Sequence, residues 1–376
     1  MIVKVLNVGH GLCVHITGPG TDFVYDCGTH GRWGTKQVPP AWTALSQALW
    51  RREQVDVIAV SHLHWDHYCG FLEPLAGVSP DVQVVMPRLP VLVGAEPLRE
   101  RFAAALLSLA PLDPALGPLE IDLMRRIKRY APNAVPVPVS AGHDVTAAGD
   151  QWRVLWPPPR IEAGTRGITK LERAVVAYEN AAQNSPEVRR RLDAVRDSEA
   201  FGALLSEPGL DPELDDSDEP HDFDEPAGLD AEVRVLEEEG DDEPLMEPRS
   251  LNEAAAAVRL AANELSLVMV SAESRVLLTG DATRFAMEQA MHRAGRRFNL
   301  VVTPHHGGRL HVPDSLLESE VPFWASSAGG RLGKQVSDVY DLKGWHHRTD
   351  KHGSALYCVE SPDLFEQWDF EMGERW

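Results

Sequence analysis

Alternating apolar and polar positions open the chain. Ile2 to Val8 reads as a strand, Leu12 to Ile16 resumes after a Gly-x-Gly break, and Asp22 to Tyr25 begins a third. Pro39 to Trp50 has helical spacing, with Trp42, Leu45, Leu49 and Trp50 on one face. Val55 to Val60 is a nearly continuous apolar run, the pattern of a buried strand, and it stops directly at Ser61-His62. The pattern then predicts a helix beginning at Phe71 to Leu75, a strand over Val82 to Met86, a helix over Leu98 to Leu109, and strands over Val135 to Val139 and Trp152 to Trp156. Pro157-Pro158-Pro159 closes this unit. From Gly164 to Leu205 the composition turns helical, as in Leu171 to Ala182 and Pro186 to Arg196. Strands return at Leu265 to Val270 and Val276 to Leu278. They are followed by a helix over Phe285 to Arg293, a strand over Phe298 to Thr303, a helix over Pro313 to Leu317, a strand over Val321 to Ala325, a helix over Val336 to Leu342 and a strand over Leu356 to Val359. This predicts a layered α/β fold in two halves, residues 1–160 and 251–376, separated by an insertion over residues 161–250.

Charge changes that picture in one place. The formal net charge is −21, but Asp211 to Ser250 holds 18 Asp or Glu against Arg234 and Arg249, a local −16 that leaves −5 for the remaining residues. Asp211 to Glu247, with few aromatics and many like charges, cannot bury enough apolar area to offset its ordering cost, so the insertion is expected to be helical first and disordered after. The acidic part, 211–247, is a candidate docking segment for a protein partner. Apolar residues make up 43% of the chain, enough for a sizeable core, with no run of membrane-spanning length. The start of the chain does not read as a secretory signal, and Cys13, Cys27, Cys69 and Cys358 lie far apart with no C-x-x-C pair. A cytoplasmic protein with reduced thiols, not attached to a membrane, is the expectation.

Chemistry concentrates in Ser61-His62-Leu63-His64-Trp65-Asp66-His67, where imidazoles and a carboxylate crowd a few residues just past a buried strand. These are the usual ligands of zinc and similar metals. An H-x-H spacing at a strand end can place His62 and His64 on one cation, and Asp66 and His67, a step further round the turn, can face a second.

H-x-H-x-D-H after a strand resembles the signature of the metallo-β-lactamase superfamily. The resemblance implies a four-layer αββα sandwich binding two divalent ions, Zn²⁺ or Mn²⁺. Thr279-Gly280-Asp281 after Val276 to Leu278 looks like the carboxylate that bridges both metals, and Pro304-His305-His306-Gly307-Gly308 like the last metal-binding histidine. Asn7-Val8-Gly9-His10-Gly11, Tyr25-Asp26-Cys27-Gly28, Asn263 to Val268 and Thr349-Asp350-Lys351-His352-Gly353 further resemble the ComEC-like competence-protein branch, whose hydrolase domain is thought to be a metal-dependent nuclease. The resemblance covers roughly residues 1–160 and 250–360 and does not extend to that protein's membrane and barrel domains. It implies phosphodiester hydrolysis, with a nucleic acid or another phosphodiester as substrate. His62 and His64 are expected on one metal and Asp66, His67 and His305 on the other, with Asp281 bridging. Either His305 or His306 can ligate, and the other can then hold the phosphate or protonate the leaving oxygen. Asp66, His306 and Lys351 are thus the expected catalytic residues, and Asp26 is expected to accept a ligand's ring N–H.

Departures are also readable. Many relatives carry another ligand histidine before the bridging aspartate, for which His143 is the candidate. The family's loop after the final strands is replaced by Ser326 to Lys334. The Gly28 to Gly34 loop reads as either plain loop or an active-site mouth lined by His30, Arg32 and Trp33. His346, His347, Arg348 and Lys351 read as either a phosphate-facing patch or a solvated hairpin. Cys13, Cys27, Trp324 and Trp345 read as packing first. Two other functions compete: hydrolysis of a small phosphate ester, cyclic nucleotide, thioester or lactam, and a regulatory partner-binding module.

Overall fold

Two sheets stack face to face, with one apolar core between them and a further core on each outer face. The first is built from β1 (Ile2–Val5), β2 (Cys13–Thr17), β3 (Asp22–Cys27), β4 (Val55–Ala59), β5 (Val78–Pro87), β7 (Val135–Val139), β16 (Ser354–Cys358) and β17 (Phe365–Trp368). The second is built from β8 (Asp144–Ala147), β9 (Asp150–Trp156), β11 (Val268–Ser271), β12 (Val276–Leu278), β13 (Leu300–Val302), β14 (Phe323–Ser326) and β15 (Trp345–Arg348). Their strand orders are β17-β16-β1-β2-β3-β4-β5-β7 and β15-β14-β13-β12-β11-β9-β8. The computed structural model describes residues 1–29, 41–49, 55–73, 77–109, 123–162, 166–206, 249–273, 275–329, 332–359 and 365–368. The acidic segment 211–247 and the loop bearing His30, Arg32 and Trp33 lie outside them.

Period-two alternation explains the layering. In β3 and β4, Phe23, Tyr25, Val57 and Ala59 enter the core between the sheets, while Val24, Ile58 and Val60 face the helices Ala41–Leu49 and Leu123–Tyr130. In β12 and β13, Val276, Leu278, Leu300 and Val302 point inward, while Leu277 and Val301 meet the helix Arg284–Ala294. Trp152 is fully buried between the sheets, edge-on to Phe23 with centroids 5.2 Å apart. Tyr25 clamps the sandwich, its hydroxyl donating to the Leu267 carbonyl at 2.5 Å. The expected αββα order is therefore present.

A third body of core is helical. Glu96–Ser108, Arg166–Ala182, Pro186–Val195, Glu199–Leu204 and Arg249–Asn263 share one apolar cluster, in which Tyr178 and Ser108 hydroxyls meet at 2.9 Å. Arg249–Asn263 does not stand out in the strand and helix pattern, yet its last residue reaches the site described below. The pattern also misses Leu123–Tyr130, whose Arg125, Arg126, Lys128 and Arg129 mask its apolar face, and the short strands β6 (Val91–Val93), β8 and β10 (Arg160–Glu162). Trp345–Arg348 is a strand parallel to β14 with His346 and His347 buried, not a solvated hairpin.

From β3 to β5 and from β12 to β15, neighbouring strands run parallel. Parallel strands end together, and ligand sites of α/β sheets collect beyond their carboxyl ends. Asp26, Ser61 to His67, Thr279 to Asp281 and Pro304 to His306 all leave such ends.

Candidate metal centre

β4 runs straight into Ser61-His62, and a one-turn helix, Trp65–Tyr68, then reverses the chain, its His67 N–H bonded to the His64 carbonyl at 3.0 Å. Gly28 makes the turn possible, because a Cβ there would lie 2.1 Å from the Asp66 carbonyl carbon. On the opposite sheet, Gly280 has φ +51° and packs so closely on Ser266 and Ser61 that a Cβ would meet their side chains at 2.5 and 2.6 Å. Asp26 (φ 55°), His305 (φ 46°) and His306 (φ 56°) also hold left-handed backbone, the kind of strain that persists where the surroundings over-determine a residue.

Among the described residues, two groups of three metal-ready donors result: His62, His67 and Asp281, and His10, Asp66 and His306, the ligand atoms within each lying inside 4.8 Å of one another. The groups interlock. His67 Nε2 is 3.3 Å from Asp281 Oδ1 and 3.8 Å from Asp66 Oδ2, and His306 Nε2 is 3.4 Å from Asp66 Oδ2 and 3.6 Å from Asp281 Oδ2. The grouping differs from the expected division. His67 joins His62, and His306 rather than His305 completes a group. His64 lies beside them, its ring centroid 4.3 Å from that of His62. His305 Nδ1 lies 3.6 Å from Asp281 Oδ2 while its ring stacks on His311 at 3.9 Å. Lys351, on the turn Thr349–His352, is exposed and belongs to neither group; nor does His143. His10 is the member the sequence pattern missed, a lone histidine in a glycine turn with no ligand spacing around it.

The donors fit cations. Nε2 of His62, His64, His67 and His306 and Oδ1 of Asp281 are buried without a hydrogen-bond partner, and each such group costs about 1–3 kcal/mol if nothing fills the gap. The ring protons are held on the far side. His67 Nδ1 donates to Asp26 Oδ2 at 2.8 Å, the contact expected of Asp26, and His306 Nδ1 donates to the Ser327 carbonyl at 2.9 Å. Each of these bonds keeps one proton on Nδ1, which makes Nε2 the nitrogen that a cation would take in exchange for a proton. Asp26 is in turn fixed by the Ser61 N–H at 2.6 Å.

Electrostatics divide the histidines. Burial, then the neighbouring rings of His67 and His64, holds His62 well below the usual histidine range, and burial takes His64 down to about 3. Burial also opposes charge on His67 and His306, but Asp281 and Asp66 outweigh it and hold both above the usual value, with Asp26 adding to His67. Asp281 shows the mirror effect: burial is outweighed by His67, His306 and His305, and its carboxyl sits well below the usual range. Arg259 acts on His64 and Asp66 from the helix that carries Asn263 one turn later, and Asn263 Nδ2 lies 3.5 Å from His305 Nδ1.

Asp341, His346 and Ser326 form a separate relay, His346 bonding Asp341 Oδ1 at 2.9 Å and Ser326 Oγ at 2.8 Å. Ser326 is completely buried and already bonded to Thr303 Oγ1 at 2.7 Å, so no substrate reaches it. It braces the strand end from which His305 and His306 emerge.

Residues 6–158 match the family model of the metallo-beta-lactamase superfamily. The two-sheet sandwich with helices on both outer faces and donors at the carboxyl ends is consistent with a metallo-β-lactamase fold. No curated protein matches the sequence. Among solved structures, a mutant of the CmlA beta-hydroxylase aligns over 94% of this chain at 13% identity and TM-score 0.41, and this chain spans 53% of that protein. A metallo-beta-lactamase family protein from Thermus thermophilus aligns over 69% of this chain and 92% of its own at 17% identity and TM-score 0.26. No helix among the described residues is long and apolar enough to cross a membrane.

Proposed function

We propose that the chain is a metal-dependent phosphodiester hydrolase that holds two divalent cations, with a nucleic acid as its substrate class. The observation that carries this reading is the pair of interlocked donor groups, with Asp66 and Asp281 lying between His67 and His306. Two cations held there would lower the pKa of a shared water and offset the charge that develops on a phosphoryl oxygen. The protein's own contribution is placement. Asp26 and the Ser327 carbonyl fix the His67 and His306 tautomers, and Gly28 and Gly280 let the backbone close around the carboxylates. The positive charge of Arg259 beside Asp66 suits an anionic substrate. His305, outside both three-donor groups but within reach of Asp281, is placed to hold a phosphoryl oxygen or to protonate the departing one. The motifs shared with the competence-protein branch favour a nuclease over a small-ester hydrolase. Two imidazoles and one carboxylate per group suit zinc, manganese or iron, so metal identity belongs in the test.

The test is a substrate panel run on protein loaded with zinc, manganese or iron: single- and double-stranded DNA, RNA, cyclic dinucleotides, bis-p-nitrophenyl phosphate, a thioester and a β-lactam. Cleavage of a nucleic acid that is lost in Asp281→Ala supports the proposal. Turnover confined to the thioester or the lactam refutes it.

A further inference from the structure

His10 is the one member of the two donor groups that neither the H-x-H-x-D-H turn nor the later motifs offer as a ligand. The family's further histidine has its candidate in His143, but His143 Nδ1 lies 3.0 Å from the Ser140 carbonyl and the ring joins neither group. Without His10, the second group is only a carboxylate and one imidazole. With it, both groups have the same composition, two imidazoles and one carboxylate.

We infer that His10 is a ligand of the second cation, its Nε2 converging with Asp66 and His306, so that the turn between β1 and β2 supplies a nitrogen that none of the ligand motifs offers. The inference rests on the two-cation reading above.

The turn is built to hold that position. His10 Nε2 lies 3.6 Å from Asp66 Oδ2, and its ring meets that of His306 edge-on at 5.5 Å, while the residue is only 8% exposed. The next residues tie the turn to both partners. Leu12 N–H donates to the Asp66 carbonyl at 3.1 Å, and Ser327 Oγ donates to the Gly11 carbonyl at 2.7 Å. Ser327 is also the residue whose carbonyl orients His306, so one residue sets the height of both imidazoles. From the other side, Thr29 Oγ1 donates to the Val8 carbonyl at 2.5 Å, and Gly329 packs on Gly9 so closely that a Cβ would lie 2.4 Å from the Gly9 carbonyl carbon. A histidine that only filled space would not need a turn fixed to each of the other two donors.

The experiment titrates cobalt(II) into metal-free protein, reading both the stoichiometry and the visible d–d absorption, for the full chain and for His10→Ala and His10→Gln. The full chain is expected to take two equivalents. In both variants one equivalent keeps its affinity and the other weakens by on the order of 10–100-fold or more, at least the loss seen when a ligand's supporting contact is removed. The absorption of the weakened equivalent should change as a nitrogen donor is replaced. Two tight equivalents with unchanged absorption in the variants overturn the inference and leave the two-cation reading standing. A full chain that binds no cobalt overturns both. His10→Gln preserves bulk in the turn, so it decides the matter if His10→Ala does not fold.

Discussion

Replacing Asp26 with Asn separates shape from charge at the centre of the site. Asp26 is completely buried, and its two oxygens serve two donors, the Ser61 N–H at 2.6 Å and His67 Nδ1 at 2.8 Å. Asn fits the volume and tolerates the left-handed φ of 55°. It has only one oxygen, however. If that oxygen keeps Ser61, the amide NH₂ faces His67 and the ring must move its proton to Nε2, the atom aimed at the donors around Asp281. Losing a contact of this kind costs roughly 10–100-fold in metal affinity, about 1.4–2.8 kcal/mol at 1.4 kcal/mol per factor of ten. An opposing effect is present: Asp26, by its charge and its hydrogen bond, also helps Asp281 and Asp66 hold the proton on His67, so its loss eases proton competition. Working at the alkaline end of the range removes that competition. The assay is a chelator-competition titration with zinc that resolves two equivalents. One should weaken by the stated factor while the other, oriented through Ser327, does not move. Equal affinities in a folded Asp26→Asn variant would refute the assignment of Asp26 as the group that sets the His67 tautomer.

Three further outcomes follow from the same contacts. Gly28→Ala drives a Cβ to 2.1 Å from the Asp66 backbone with no flexible side chain to yield, so both metal equivalents should weaken and the melting temperature fall; a variant that loads normally would contradict the close approach. Tyr25→Phe strands the Leu267 carbonyl between the sheets and should cost about 1–3 kcal/mol in urea unfolding, with an unchanged midpoint counting against the clamp. The raised His67 and His306 hold protons at pH values where an ordinary histidine has lost them, and protons compete with cations. Apparent metal affinity should therefore keep climbing with pH past the ordinary histidine value of about 6.5 and into the alkaline range; an affinity flat above that value would show that neither ring carries a proton there.

The turn after β4 was legible because its chemistry is local: the donors sit within a few residues, and the apolar run before them marks a strand end. Asp281 and the His305–His306 pair were legible through motifs at other strand ends. The division of donors was not. It depends on how the single helical turn Trp65–Tyr68 divides Asp66 and His67 between the two groups, and on left-handed backbone at His305 and His306 that brings the second ring into one of them. Sequence spacing carries no such rotation. His10 was hidden for a different reason, because its partners come from elsewhere in the chain and only the packed sandwich brings them together. His346 to Arg348 reads as either a phosphate-facing patch or a solvated hairpin, yet Asp341 and Ser326 satisfy the His346 ring from both sides and let the segment form the edge strand of the sheet. The αββα order was legible because the two-residue period of β3, β4, β12 and β13 survives in plain apolar alternation. Leu123–Tyr130 was not, because four cationic side chains outweigh its buried face.

The account stands on two cations held side by side by these donors, and anomalous diffraction from crystals grown with zinc or manganese tests that directly. The account predicts two peaks, one against His62, His67 and Asp281 and one against Asp66 and His306. A single peak, or peaks outside the two groups, would contradict it.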